Sequence, residues 1–371
     1  MAGDALPQLL TCRLRILSFE LAGQRCYIAR ILLMPCRSSR MSIRFAILGA
    51  GRIGQVHARA VAGNDNATLA AVHDPVAAAA GSISDQYGAD IRSVEEIAAA
   101  DDIDAVVLCT PTDLHAQQIE LFARAGKAVF CEKPIDLDSG RVRECLQVVD
   151  ETGATLMVGF NRRFDPHFMG VRAAIADGRI GRPEMGIITS RDPGAPPAEY
   201  IKRSGGIFKD MMIHDFDMAV FLMGDMPASV LATGSVLTDP DIAPLGDYDS
   251  ASAILRWEDG RQVSITNSRR AVYGYDQRVE IHGSTGMAAA ENEHPVRIEV
   301  ATVEGYTRPP LHDFFMTRYV AAYANEINAF IAALGGETGG IPSGQDGLNA
   351  LLIAEAALES AQTGKAADIA H

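Results

Sequence analysis

The chain has 371 residues, 48% of them hydrophobic and 22% charged, with a formal net charge of −14 at pH 7. That length predicts about two domains with ample chain for a buried core, and the acidic balance argues against nucleic acid or an anionic membrane surface as a partner. Six cysteines (Cys12, Cys26, Cys36, Cys109, Cys131 and Cys145) show neither C-x-x-C spacing nor disulfide-like density, which predicts a reduced, cytoplasmic setting.

Residues 1–40 differ from the rest. They hold three of the six cysteines, and Arg13, Arg15, Arg25 and Arg30 interrupt every apolar run, so no window is long enough to span a bilayer. The charge-first, small-residue-last order of a signal peptide is also missing. Met41 is followed by Ser42-Ile43-Arg44, which leads straight into a strand. The reading is that translation starts at Met41 and that residues 1–40 are a mis-called or disordered extension, with a weak targeting segment as the alternative.

From Ile43 the pattern is regular. Ile43, Phe45, Ala46, Ile47 and Leu48 make a run suited to a buried parallel strand. It ends in Gly49-Ala50-Gly51-Arg52-Ile53-Gly54, and a helical pattern follows through Val56, Ala60 and Val61. Glycines at these three places permit a tight turn, close approach of backbone to a pyrophosphate, and close packing of helix on strand. A second strand, Thr68 to His73, ends at Asp74, 20 residues past Gly54. An acid there hydrogen-bonds a ribose 2′-hydroxyl and repels a 2′-phosphate, so NAD is expected rather than NADP.

The strand–helix alternation continues with helices at 76–87 and 95–100, a strand from Ala105 to Cys109 ending in Thr110-Pro111-Thr112, and a helix from Asp113 to Ala125. Then come a strand from Ala128 to Cys131 closed by Glu132-Lys133-Pro134, a helix from Arg141 to Thr152, and a strand from Leu156 to Gly159. In a doubly wound sheet the loops at the carboxyl ends of strands face the ligand crevice, which makes Lys133 a site candidate. The NAD-binding domain is accordingly placed at residues 41–160.

Beyond Gly159 the grammar changes. Asn161-Arg162-Arg163-Phe164-Asp165-Pro166 precedes a helix from His167 to Asp177, and Gly186 to Arg191 reads as a strand. Ser204 to Gly224 is predicted as one helix, with Ile207, Phe208, Met211, Met212, Phe216, Val220 and Met223 on its apolar face. Asp210 and His214, four apart, then lie one turn from each other, so that the carboxylate can orient the imidazole and stabilise its protonated form. Strands follow at 229–237, 250–257, 262–267, 278–281, 287–290 and 297–303, separated by turns such as Asp259-Gly260 and Gly283-Ser284. Strands in succession predict a large, mostly antiparallel open sheet, one face on helices and one free, with Ala253, Leu255, Val263 and Ile265 offered on the free face. Helices from Phe314 to Leu334 and Gly347 to Gln362 close the chain. The expected fold is therefore α/β: an N-terminal Rossmann doubly wound parallel sheet, then an α+β substrate-binding and oligomerisation domain at 161–335, then a C-terminal helix within 336–371 returning toward the first domain.

Four motifs carry a family resemblance: G-A-G-R-I-G at 49–54, E-K-P at 132–134, G-F-N-R-R-F-D at 159–165, and K-D-M-M-I-H-D-F-D at 209–217. From Met41 to its end the chain resembles the Gfo/Idh/MocA oxidoreductases, and within them the inositol 2-dehydrogenase branch. The resemblance implies a catalytic group of Lys133, Asp210 and His214, with Asp217, an arginine of the Arg162–Arg163 pair, and Tyr273 or Tyr275 near a polyol. It also implies Thr110, Pro111, His115, Glu132 and Lys133 beside NAD, together with Gly49, Gly51, Arg52, Ile53, Gly54 and Asp74, and a homotetramer, or else a homodimer. Some members carry a further histidine before the catalytic helix. The segment Asp192-Pro193-Gly194-Ala195-Pro196-Pro197 has none.

In that chemistry His214 takes the hydroxyl proton of a secondary alcohol from a pKa near neutrality, Asp210 orients it, and Lys133 donates to the reacting oxygen. No metal is expected, because no second ligand histidine stands at matching spacing near His214, Asp215 and Asp217. The expected reaction is NAD-dependent oxidation of myo-inositol to 2-keto-myo-inositol. The alternatives are a related sugar or scyllo-inositol dehydrogenase, or a sensor that holds NAD(H) without turnover.

Overall fold

The computed structural model describes residues 16–21, 24–29, 42–337 and 339–370. Residues up to Met41 form a unit of their own, in which β1 (Ile16–Leu21) and β2 (Gln24–Ala29) pair antiparallel. The expectation that the protein starts at Met41 lies outside the described residues.

Residues from Ser42 form the second unit. Its first sheet is built from β3 (Ile43–Leu48), β4 (Ala67–His73), β5 (Asp90–Ile91), β6 (Ala105–Leu108), β7 (Ala128–Cys131) and β8 (Leu156–Val158). The strands lie in the order β5-β4-β3-β6-β7-β8, all parallel. Helices α1 (Arg52–Ala62), α2 (Ala77–Tyr87), α3 (Val94–Ala99), α4 (His115–Arg124) and α5 (Ser139–Thr152) alternate with these strands. Phe45 to Leu48 and Ala105 to Leu108 are fully buried, as strands covered on both faces must be. The order reverses between β3 and β6, so the crevice opens where their carboxyl ends diverge.

The second sheet follows α6 (Pro166–Ala176). Its strands are β9 (Pro183–Arg191), β10 (Ser229–Ser235), β11 (Ser250–Arg256), β12 (Gln262–Ser268), β13 (Asp276–Gly283), β14 (Gly286–Ala290) and the late β17 (Ala367–Asp368). The order is β14-β13-β9-β12-β11-β10-β17, and only β9–β12 is parallel. Ala253, Leu255, Val263 and Ile265 are buried in the core, not on the free face. The alternation is as expected and its face is the opposite one, because period two alone does not say which set points inward. The outward set carries Met185, Ile187, Leu231, Ile254 and Met287, 43–52% exposed, among serines and threonines.

Two predicted helices are interrupted. The stretch 204–224 comprises the end of α7 (Ala198–Ser204), then α8 (Gly206–Asp210) and α9 (Ile213–Met223). Gly205 and Gly206 both adopt positive φ (+80° and +79°), which stops α7. The Asp210 carbonyl, which a continuous helix would bond to the His214 N–H, instead accepts from Lys133 Nζ at 2.7 Å. The predicted helix 314–334 breaks at Tyr319 into α10 (Phe315–Arg318) and α11 (Val320–Leu334). The strand foreseen at 297–303 is a short hairpin of β15 (Val300–Thr302) and β16 (Gly305–Thr307). Last, α12 (Gly344–Thr363) packs on β10 and on the first half of the chain: Gly344 lies against Leu146 and Leu156, and Gly347 against Ile135 and Val158.

Candidate active site

The glycine turn sits at the switch point. Gly49 has φ +94°, and a Cβ there would lie 2.5 Å from the Cys109 carbonyl oxygen at the end of β6. At Gly54 a Cβ would lie 1.9 Å from the Gly49 carbonyl oxygen, so only glycine lets α1 start this close to β3. Gly51 is exposed with open space where a Cβ would stand, the face a pyrophosphate would approach. Helix α1 has no side-chain cap and no acid in its first turn, which leaves its leading N–H groups for an anion. Asp74 accepts from Ala50 N at 2.6 Å and Val76 N at 2.8 Å, which seats its carboxylate beside the turn. These residues fit a dinucleotide. Arg52 is exposed, its guanidinium 5.8 Å over the Phe314 ring, and Ile53 packs partly on the core. Thr110 and Pro111 close β6 beside the turn.

Two further expected cofactor neighbours, His115 and Glu132, bond to protein groups. His115 is buried, with Nδ1 2.8 Å from the Pro134 carbonyl and Nε2 2.7 Å from that of Thr110. Burial lowers its pKa. Glu132 points its carboxylate at buried His57, Nε2 to Oε1 2.6 Å.

Lys133, Asp210 and His214 come together, but not in the expected pairing. Asp210 Oδ1 accepts from Lys133 Nζ at 3.3 Å and from the Tyr200 hydroxyl at 2.8 Å, while Arg269 Nη2 lies 3.8 Å from Oδ2. His214 Nδ1 is buried and has no hydrogen-bond partner. Asp210 therefore holds Lys133 rather than His214; the helix break turns the two residues out of i,i+4 register. Burial, then the charges of Lys133 and Arg162, push the His214 pKa well below the ordinary histidine value, not near neutrality. That direction favours the neutral imidazole, the form able to accept a proton.

The two open pairs separate clearly. Arg162 is buried, donating to Ser190 Oγ at 2.9 Å and to Asp215 Oδ1, and its charge reaches His214 and Asp192. Tyr275 is buried, edge-on to Phe314 and Tyr319, and lies within electrostatic reach of Arg162. Arg163 is instead committed to a buried fork with Asp217 (2.9 and 2.6 Å), bonds Asp346 of α12, and covers the Phe221 ring. Asp217, pushed up to about 6 by burial against the pull of Arg163, belongs to that fork, not to an open site. Tyr273 is half exposed and donates to Asp276 at 2.7 Å. Asp215 is saturated by Arg162, Ser190 and Asn267. Among the described residues no group of three or more His, Cys, Asp or Glu is arranged to hold a metal ion.

Three participants escaped the sequence reading. Asp192 follows β9, and burial and Asp210 raise its pKa to about 7 against Arg162, Arg269 and Lys133. Its place just past a predicted strand's carboxyl end was the available signal. Tyr200, in α7, had no signal. Buried Arg269 follows β12; its Nη2 is 3.2 Å from Asp247, which also receives the Ile207 N–H opening α8.

Comparison with known proteins adds to this geometry. Residues 43–160 match the oxidoreductase family with an NAD-binding Rossmann fold, and residues 168–289 match the Gfo/Idh/MocA C-terminal domain. The inositol 2-dehydrogenase of Rhizobium meliloti (strain 1021) is 66% identical over 320 residues, 86% of this chain and 97% of that protein. The crystal structure of a myo-inositol dehydrogenase from Corynebacterium glutamicum superposes with a TM-score of 0.85 at 41% identity, covering 89% of this chain and 99% of that one. The scyllo-inositol dehydrogenase from Lactobacillus casei, solved with NAD(H) and scyllo-inositol, gives 0.83 at 30% identity over 89% and 100%.

Proposed function

The chain belongs to the Gfo/Idh/MocA family and is an NAD-dependent oxidoreductase, and we propose that it oxidises a secondary alcohol of a cyclic polyol, myo-inositol to 2-keto-myo-inositol. The observation that carries this is Lys133 Nζ, fixed on Asp210, beside a half-buried His214 whose Nδ1 is buried and unpartnered and whose pKa the lysine charge helps to lower. NAD, when bound, accepts the hydrogen of the reacting carbon with its electron pair. His214 takes the hydroxyl proton; burial and the nearby cations keep it unprotonated beforehand. Lys133 donates to the same oxygen and stabilises its negative character, and Asp210 and Tyr200 hold the ammonium in place. Arg162, Asp192 and Tyr275 supply polar groups for the remaining hydroxyls. Arg163 and Asp217 brace α9 and α12 behind them.

The outward face of the seven-stranded sheet offers its apolar set to a second copy, and the assembly proposed is a homotetramer, with a homodimer as its smaller form. Cys109, Cys131 and Cys145 are free thiols, in keeping with a cytoplasmic setting. Among the described residues no helix is long and apolar enough to cross a membrane. The deciding experiment follows NADH absorbance across myo-inositol, scyllo-inositol, their epimers and aldoses. Turnover is expected to be fastest with myo-inositol; a preference for an aldose, or NAD binding without turnover on any of them, would overturn the reading.

A further inference from the structure

We propose that two buried histidines, His57 and His115, are positioning residues that set Lys133 from either side; the inference rests on Lys133 being the donor to the reacting oxygen. Lys133 lies in the loop leaving β7, whose backbone is fastened by Glu132 N to the Leu108 carbonyl at 3.0 Å. The residues flanking Lys133 are then each tied to an imidazole. On one side, His57 Nε2 meets Glu132 Oε1 at 2.6 Å; on the other, His115 Nδ1 meets the Pro134 carbonyl at 2.8 Å.

Neither ring can touch a ligand, because His57 is 0% exposed and His115 2%. His57 is walled by the Phe130 and Tyr323 rings at 4.9 and 5.5 Å. Its Nδ1 lacks a hydrogen-bond partner and lies 3.8 Å from Glu326, whose carboxyl is driven toward its neutral form by burial and by Glu132. The hydrogen bond His57 makes therefore goes to the residue immediately before Lys133. Gly159 leaves the room for it: a Cβ there would sit 3.2 Å from the Glu132 carboxylate.

The other ends of these ties lie in the cofactor half. His57 stands on α1, which begins in the glycine turn, and His115 Nε2 lies 2.7 Å from the Thr110 carbonyl at the end of β6, so the ring sits between the two loops and its single N–H serves one carbonyl at a time. The glycine turn, the β6 loop and the lysine loop are thereby fixed in one frame. A displacement of about 1 Å between reacting groups can cost about 10²-fold in rate, so the frame bears directly on turnover.

The test is a double-mutant cycle on the full chain. His57→Leu and His115→Leu should each lower kcat by about 10-fold or more, up to the roughly 10² of a misplaced group, with NAD affinity changed less than kcat. His57→Gln, which keeps an N–H for Glu132, should recover much of the loss. In a Lys133→Ala background, His57→Leu should leave the residual turnover nearly unchanged, because there is no lysine left to misplace. An equal fractional loss with and without Lys133 would make His57 a general structural residue and overturn the proposal. So would a kcat within about twofold of wild type in both leucine variants, by the same scale. Should His57→Leu fail to fold, Glu132→Ala against Glu132→Gln reads the same tie, and equal activity of those two overturns it. A fully active Lys133→Ala would instead remove Lys133 from the chemistry, a failure of the functional reading visible before any histidine is changed.

Discussion

On the proposed reading, the two sheets meet their ligands by different means. The parallel sheet is covered on both faces and presents backbone: glycines at 49, 51 and 54 and the opening N–H groups of α1. The mixed sheet is covered on one face, and the elements packed on it present side chains: Asp210 and His214 from a broken helix, Arg162 and Tyr275 from flanking segments. A backbone site is specified by what is missing, namely Cβ atoms, and tolerates no addition. A side-chain site is specified by what is present, and deletions reveal it.

The sharpest test deletes on one side only. His214→Ala should reduce kcat by about 10²–10⁴, while NAD affinity, read by fluorescence titration, stays near wild type because the glycine turn is untouched. Parallel loss of NAD affinity would join the two sites that the comparison separates.

An addition on the other side comes next. In Gly54→Ala the new methyl collides with the Gly49 carbonyl oxygen at 1.9 Å. Overpacking of this kind costs about 1–3 kcal/mol, which corresponds to roughly 5–150-fold in NAD affinity if all of it falls on the bound state. Calorimetric titration checks it, and wild-type affinity would show that the turn can yield. Asp74→Ser should also weaken NAD and admit NADP. Because the Asp74 carboxylate also fastens Ala50 and Val76, the weakening of NAD should exceed the loss of one ribose contact.

The same contrast governs what could be read in advance. The glycine turn, Asp74 and the alternating strands and helices were legible because local chemistry determines them: a run of buried apolar residues, a turn that needs glycine, an acid at fixed spacing. At 204–224 the apolar spacing was equally clear, yet the helix breaks after Asp210, where the carbonyl accepts instead from residue 133, far away in sequence. Lys133, Asp210 and His214 were legible as candidates, but the bond of Asp210 to Lys133 rather than to His214 was not. Ala253, Leu255, Val263 and Ile265 were legible as one face of a sheet, but which face meets the core depends on α9 and α12. Arg269 and Tyr200 reach the site only through tertiary packing, which no local pattern encodes.

A smaller effect tests the electrostatics of the side-chain site. The Lys133 charge helps hold His214 unprotonated, so Lys133→Met should raise the His214 pKa and move the acid limb of the residual kcat to higher pH. The stability linkage has a fixed sign. His214 is harder to protonate folded than unfolded, so as pH falls below the unfolded value of about 6.5 the unfolded chain gains a proton first and stability declines. His214→Gln should flatten that decline in thermal melts between about pH 7 and pH 5. Asp192 and Asp217 are raised to about 7 and about 6, which works in the opposite direction, so the difference between wild type and variant is the quantity to compare.

The smallest effect on the single chain concerns the face that only the mixed sheet leaves open. Leu231 and Ile254 stand directly opposite each other on β10 and β11, 47% and 43% exposed, with Met185 and Ile187 on β9 of the same sheet. Serine and threonine neighbours keep the face from being uniformly apolar, so a single chain can remain in solution, but an apolar set of this extent is best covered by a second copy. Two-fold pairing brings the same residues from both copies together, so one substitution enters the interface twice. Ile254→Asp then sets two carboxylates into a desolvated contact, while within the chain it changes an outward side chain, where substitutions usually fall within about 0.5 kcal/mol. The variant should melt close to wild type when dilute, yet elute and scatter light as a smaller species than the proposed wild-type tetramer. Wild-type protein that is monomeric at micromolar concentration would remove the basis for this pairing, and an Ile254→Asp variant of unchanged size would move the interface to another surface.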